Sequence, residues 1–178
     1  MSVDDGRRRI GTHPFAAFSA PDQVRRLRGL LAAPVTVWTS YGEDGAAVGI
    51  TVSSILVAEG EPPALLGLVG PLSDFWEAAR WSKRFVVHVL GSGAVGLADR
   101  FAQRYPGDPF DGLAVSSSEW GPVLDDVGTR VTCSVSGFLE IGYQILVRGQ
   151  PVDMAMPEDS PPALVHYRGR YMTVAARQ

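Results

Sequence analysis

The chain has 178 residues, 46% hydrophobic and 20% charged, a composition that suits one domain with a single core and excludes wholesale disorder. Its net charge of −3 comes without a long basic run, Arg7-Arg8-Arg9 being the densest cluster, so nucleic acid is set aside as a partner class, because phosphate-backbone binding needs a concentrated cationic face. Cys133 is the one cysteine, which rules out an intrachain disulfide and a CxxC metal pattern, and no stretch approaches the ~18 apolar residues of a membrane span; a soluble, cytoplasmic protein with no membrane partner is expected.

Residues 1–20 mix Asp, Gly, Arg and Pro without a sustained period and read as an N-terminal tail or arm, with Phe15 and Phe18 available to dock on the body formed by 21–178. Ala20-Pro21-Asp22 opens a helix with Val24, Leu27, Leu30 and Leu31 on one face, and Pro34 ends it. The period then becomes β-like. Val35 to Ser40, a polar Gly42-Glu43-Asp44-Gly45 turn and Ala46 to Val52 predict a hairpin.

Ala64 to Val69 predicts another strand, broken by Gly70-Pro71, and Leu72 to Ser82 a short helix with Ser73 and Asp74 near its start. Phe85 to Leu90 is a buried-type strand, and Ala94 to Arg104 is helical, with Leu97 and Phe101 four residues apart. Tyr105 to Asp111 reads as a loop. Arg130 to Ile141 and Tyr143 to Met154 predict two long strands, and Leu164 to Val174 a last pair or a bent strand. Six or more strands with irregularly interspersed helices predict a mainly β fold with peripheral α-helices, a decorated barrel and not a doubly wound parallel sheet.

Thr51, Ser53 and Ser54 place three hydroxyls where a strand meets a loop, able either to satisfy the strand end or to hydrogen-bond the polar edge of a planar heteroaromatic ring. Val69 to Ser73 leads from a strand into a helix, so the free amides and the Ser73 hydroxyl could receive a phosphate, or Ser73 could be an ordinary cap. His88 shares a strand face with Val86 and Leu90 and reads as a satisfied structural histidine. His13, His88 and His166 are far apart and lack metal-ligand spacing, so no metal is expected. No Gly-x-Ser-x-Gly elbow supports a hydrolase, and Gly91-Ser92-Gly93 reads as a plain strand-to-helix turn.

The ordered segments Gly49 to Ser54, Glu61-Pro62-Pro63, Lys83 to Leu90, Leu97 to Ala102 and Pro162 to Tyr171 together resemble the flavin reductase-like family of FMN-binding split barrels, over roughly Leu30 to Met172. The resemblance implies a split β-barrel and a flavin site in which Thr51, Val52, Ser53 and Ser54 run along the isoalloxazine. It further implies that Val69, Gly70 and Ser73 approach the ribityl phosphate, that Phe101 lies in the flavin environment, and that His88 stands where relatives more often have Asn.

Two departures stand out. Relatives usually carry Arg or Lys in the phosphate loop, where this chain has Pro71 and Asp74. Because no Lys or Arg occurs between Arg28 and Arg80, a cationic partner is expected from Arg80, Lys83, Arg84, Arg100, Arg104 or another subunit, with more exchangeable flavin binding and FAD or riboflavin accepted besides FMN. Many NAD(P)H-dependent relatives also have Gly-Asp-His where this chain has Gly142-Tyr143-Gln144. Gln can bond a carboxamide and Tyr can stack, so Tyr143, Gln144 and Tyr167 are the candidates for the nicotinamide side.

The activity implied is an oxidoreductase in which NADH or NADPH gives hydride to flavin N5, the reduced FMN passing to a partner monooxygenase, in a homodimer. No protein acid, base or nucleophile is required, since the cofactor carries the redox chemistry. The alternatives are an FMN-binding electron carrier without direct NAD(P)H reductase activity and a non-redox barrel for a small apolar ligand.

Overall fold

In the computed structural model residues 21–104 and 106–174 are described; the N-terminal arm with His13, Phe15 and Phe18, and Tyr105, lie outside them. The chain runs through α1 (Pro21–Leu30), β1 (Ala33–Pro34), β2 (Thr36–Tyr41), β3 (Ala47–Val52), β4 (Ile55–Ala58), β5 (Ala64–Val69), α2 (Asp74–Ser82), β6 (Arg84–Val89) and α3 (Val95–Asp99), which continues into a π-helical turn, Arg100–Arg104. After these come β7 (Val115–Ser116), β8 (Val123–Leu124), β9 (Arg130–Ile141), β10 (Gln144–Ala155), β11 (Ala163–Tyr167) and β12 (Arg170–Val174).

Seven strands form one antiparallel sheet in the order β3-β2-β6-β9-β10-β5-β4. Its two edge strands, β3 and β4, are consecutive in sequence and joined only by Ser53-Ser54. Such a link can hold the strand ends no more than about 11 Å apart. The sheet must therefore roll until its opposite edges meet, yet β3 and β4 do not pair. The result is a barrel left open along one seam, with Ser53-Ser54 at its end. The mainly β fold with peripheral helices matches the sequence expectation.

Inside the roll, Trp38 stacks on Phe85 with ring centroids 5.0 Å apart and meets Phe75 edge-on at 5.7 Å, in a cluster that includes Val52, Leu65, Val69, Trp76, Cys133 and Val147. A second cluster, built from Val35, Val37, Leu90, Ala98, Phe101, Leu124 and Leu164, covers the outer face of β2 and β6. Alternate residues of these strands therefore enter different cores, which is why both strands are buried on their two faces. The polar exceptions are satisfied: Thr39 Oγ1 donates to the Pro122 carbonyl at 2.6 Å and Ser40 Oγ to the Arg84 carbonyl at 2.8 Å.

The three-stranded sheet β1-β11-β12 lies beside the seam, with Ala33 opposite His166 and Pro34 opposite Val165. The Arg168 amide donates to the Gly29 carbonyl at 2.7 Å, which ties the β11–β12 turn to the end of α1. Sequence periodicity predicts an apolar face on α1, and that face is present but not buried: Val24, Leu27, Leu30 and Leu31 are all exposed.

Candidate functional site

Two adjoining cavities of about 300 and about 710 Å³ open at the seam, sharing Arg28, Ser53 and His166 in their walls. Val35, Ile50, Thr51, Phe101, Ala102 and Tyr171 also line the smaller one. The larger adds Arg25, Ser54, Ile55, Leu56, Leu66, Leu68, Ile141 and Leu146, so it has an apolar floor with polar groups at one edge. Among the described residues no Asp or Glu lines either cavity, so Arg25 and Arg28 give this mouth positive charge in a chain of net charge −3.

The rolled sheet places Thr51, Ser53 and Ser54 here because they flank the link between its edges. Thr51 Oγ1 donates to the Ala98 carbonyl at 2.7 Å and so pins α3 against β3. Its lone pairs remain available. The Ser53 and Ser54 hydroxyls have no hydrogen-bond partner among the described residues, whereas the Ser54 carbonyl accepts the Leu68 amide at 3.1 Å and fixes the backbone. Val52 points into the barrel core and contributes only its carbonyl, which accepts Thr36 Oγ1 at 2.6 Å.

Phe101 is buried against Phe110, with ring centroids 4.9 Å apart, and forms a wall of the smaller cavity. Gly49 makes room for it: a Cβ there would lie 2.7 Å from the Phe101 ring, so no other residue fits without displacing that wall.

The phosphate-loop candidates lie apart from both cavities. Val69 is a core residue, and the Ser73 hydroxyl closes its own turn, donating to the Gly70 carbonyl at 2.8 Å and accepting the Trp76 amide at 3.3 Å as the cap of α2. Of the two sequence alternatives for Ser73, the geometry favours the cap. His88 likewise lies outside the cavities. It is buried on the outer face of β6, where Nδ1–H donates to the Val37 carbonyl at 3.2 Å and Nε2 accepts the Leu124 amide at 3.0 Å. Burial, and to a smaller extent the nearby Arg130 charge, outweigh the Val37 bond and hold its pKa down to about 4. A neutral, structural His88 follows.

The expected cationic partners are also elsewhere. Arg80 pairs with Glu77, Arg84 with Glu119, Arg100 donates to the Asp111 carbonyl, and Lys83 ends α2; the Arg104 side chain lies outside the described residues. Arg28 and Arg25 are the arginines at the cavities, and nothing local in the sequence assigns them to the site. Only the docking of α1 and β1 beside β11 brings them across. His166 and Tyr171, whose rings meet at 5.7 Å, were equally hidden from local pattern.

Tyr143 and Gln144 stand at the tip of the β9–β10 hairpin, next to the cavity residue Ile141, and Gln144 Nε2 donates to the Tyr143 carbonyl at 3.2 Å. Tyr167 adjoins His166 and carries the Arg168 guanidinium 5.3 Å over its ring. None of the three lines a cavity wall.

Gly91, Gly93 and Gly96 do stand in the G-x-G-x-x-G spacing of a dinucleotide fingerprint, between a strand and a helix, a match that reading Gly91-Ser92-Gly93 as an isolated turn overlooks. The context is wrong for that motif. β6 pairs antiparallel with both neighbours, α3 has five residues, and a Cβ on Gly91 would lie 2.2 Å from Pro161, so this glycine serves packing. Among the described residues no group of three or more His, Cys, Asp or Glu could hold a metal ion.

An open antiparallel barrel with an apolar, hydroxyl-edged cavity at its seam is the arrangement that the family resemblance implies, and the flavin reductase like domain matches residues 27–175. The chain belongs to the flavin reductase-like family. It is 29% identical over 153 residues to the reductase subunit HsaB of a flavin-dependent monooxygenase from Mycobacterium tuberculosis, covering 85% of this chain and 81% of that one. A flavin reductase (NADH) from Kitasatospora aureofaciens is also 29% identical, over 84% of this chain and 80% of the relative. The structure of nitrilotriacetate monooxygenase component B from Mycobacterium thermoresistibile superposes with a TM-score of 0.78 at 30% identity, covering 85% of each chain.

Proposed function

We propose that this chain is an NAD(P)H-dependent flavin reductase that binds FMN at the barrel seam and supplies reduced flavin to a partner monooxygenase. The observation that carries the reading is the seam itself: unpartnered Ser53 and Ser54 hydroxyls at the edge of an apolar cavity, in a chain of the flavin reductase-like family. The names of the relatives from Mycobacterium tuberculosis and Kitasatospora aureofaciens support the partner and the use of NADH.

The residues fit a flavin. Its tricyclic ring needs an apolar bed and hydrogen-bond donors along one edge, which Leu66, Leu68 and Leu146 and the Ser53-Ser54 end provide. When bound, the flavin supplies the hydride acceptor. Ser53 and Ser54 would hold the polar edge of the ring, Phe101 would wall the site, and the apolar floor would exclude water from it. Tyr143, Gln144 and Tyr167, at the rim beside Ile141 and His166, are assigned to nicotinamide placement in this proposal.

The assembly is a homodimer in the same proposal. Leu27 (58% exposed) on α1 and Leu31 (62%) just after it, with Leu56 (68%) and Val57 (71%) on β4, leave an apolar surface at the cavity mouth that a second copy would cover. Light scattering on the purified chain tests it, a monomer at working concentration counting against it. A cytoplasmic setting belongs to the proposal too, in keeping with the free, buried Cys133.

The deciding experiment is an anaerobic absorbance spectrum of the FMN-reconstituted protein before and after NADH, then NADPH. Bleaching of the flavin band within seconds is expected. A bound flavin that stays oxidised with both donors would replace this reading by that of an electron carrier, which the Tyr143-Gln144 departure favours.

A further inference from the structure

We propose that Arg25 and Arg28 form a phosphate subsite at the mouth of the seam cavities, holding a phosphoryl group of the bound nucleotide. The inference rests on the reductase reading above and adds where the nucleotide's negative charge is held.

Arg25 and Arg28 are three residues apart on α1, so their side chains leave the same helix face, and both line the larger cavity. Arg28 also lines the smaller one, beside Thr51 and Ser53. Neither guanidinium has a hydrogen-bond or ion-pair partner among the described residues, in contrast to those of Arg80, Arg84 and Arg100, which are engaged. Among the described residues no carboxylate lines either wall to offset their charge.

A cation in the last turn of a helix is ordinarily explained by the partial negative charge of its C-terminus. That accounts for Arg28 only in part. The Arg28 and Gly29 carbonyls already accept the amides of Leu31, at 3.2 Å, and Arg168, at 2.7 Å, and Arg25 lies before the last turn. The competing place for a phosphate, the start of α2, is poorly suited to it. The Ser73 hydroxyl is consumed by its own turn, and Asp74 and Glu77 in the first helical turn would repel an anion. Arg28, whose planar guanidinium can donate two parallel bonds to phosphate oxygens, is the better-placed anchor at the seam.

The phosphate has two possible sources, the flavin's ribityl phosphate and the pyrophosphate of the nicotinamide dinucleotide. The test measures dissociation constants for FMN and for riboflavin by fluorescence quenching, and KM for NADH, in wild type, Arg28→Gln, Arg28→Lys and the Arg25→Gln/Arg28→Gln double variant. Circular dichroism checks that each variant folds. If the subsite takes the flavin phosphate, the double variant loses about tenfold in FMN affinity, riboflavin affinity changes less than about twofold, and Arg28→Lys recovers part of the loss. If it takes the dinucleotide, the FMN-to-riboflavin ratio stays fixed and KM for NADH rises by a similar factor.

Unchanged FMN, riboflavin and NADH parameters in the folded double variant would overturn the subsite while leaving the reductase reading intact. Equal loss of FMN and riboflavin would overturn it too, since the arginines would then shape the cavity and not bind phosphate. A wild type that binds neither flavin would remove the reductase reading and this inference together.

Discussion

Acid should destabilise this protein through one residue. His88 ordinarily titrates near 6.5, and in the fold burial holds it down to about 4. The geometry agrees: a proton on Nε2 would face the Leu124 N–H that this nitrogen now accepts, and Arg130 stands opposite on the paired strand. A group whose folded pKa is depressed binds fewer protons in the folded state, so its contribution is fully present above pH 6.5 and is lost as the pH falls toward 4. At about 1.4 kcal/mol for each pH unit, the loss across that window is about 3 kcal/mol, a large share of the stability of a typical domain. The assay is urea unfolding followed by tryptophan fluorescence across the window, in wild type and His88→Asn, so that other titrating groups cancel in the difference. Asn stays neutral, and the advantage of wild type over the variant should shrink by about 3 kcal/mol from neutral pH to pH 4. Parallel stability curves for the two proteins would refute the reasoning.

Gly49→Ala should cost about 1–3 kcal/mol and weaken flavin binding, because the new methyl must push the Phe101 ring that walls the smaller cavity; thermal melting and flavin titration check both, and an unaltered flavin affinity would count against Phe101 as a site wall. Ser53→Leu/Ser54→Leu should abolish most FMN binding with little effect on melting, and unchanged affinity would remove the seam assignment. Ser73→Ala should lower stability by about 1 kcal/mol through loss of the α2 cap, with FMN affinity unchanged; a fall in FMN affinity would restore the loop at the start of α2 as a phosphate site. Cys133 is buried and its thiol pushed up to about 12, so Ellman's reagent should label it only on unfolding, and rapid labelling of the native protein would contradict its place in the core.

The sequence by itself determined most of the longer elements. Alternation and turn chemistry placed the β2–β3 hairpin, β5, α2 and the long β9–β10 pair close to their observed bounds, because hydrophobic period and Gly or Pro breaks are local properties. Four strands escaped that pattern: β1, β7 and β8 are two residues each, too short to show a period, and in β4 Leu56 and Val57 are exposed apolar groups on a sheet edge with no alternation to mark them. The hydroxyl run Thr51 to Ser54 was legible as composition, and the family resemblance named what it could bind. Only the tertiary structure decided that this run closes a rolled sheet, since the meeting of β3 and β4 depends on every strand pairing between them. The same long-range assembly brought Arg28 and His166 to the seam, sent His88 to the Leu124 amide, and left the apolar face of α1 facing outward. Periodicity specifies which face of an element is apolar; which partner covers that face, or which side chains from distant elements converge, is fixed by packing between residues far apart in the chain.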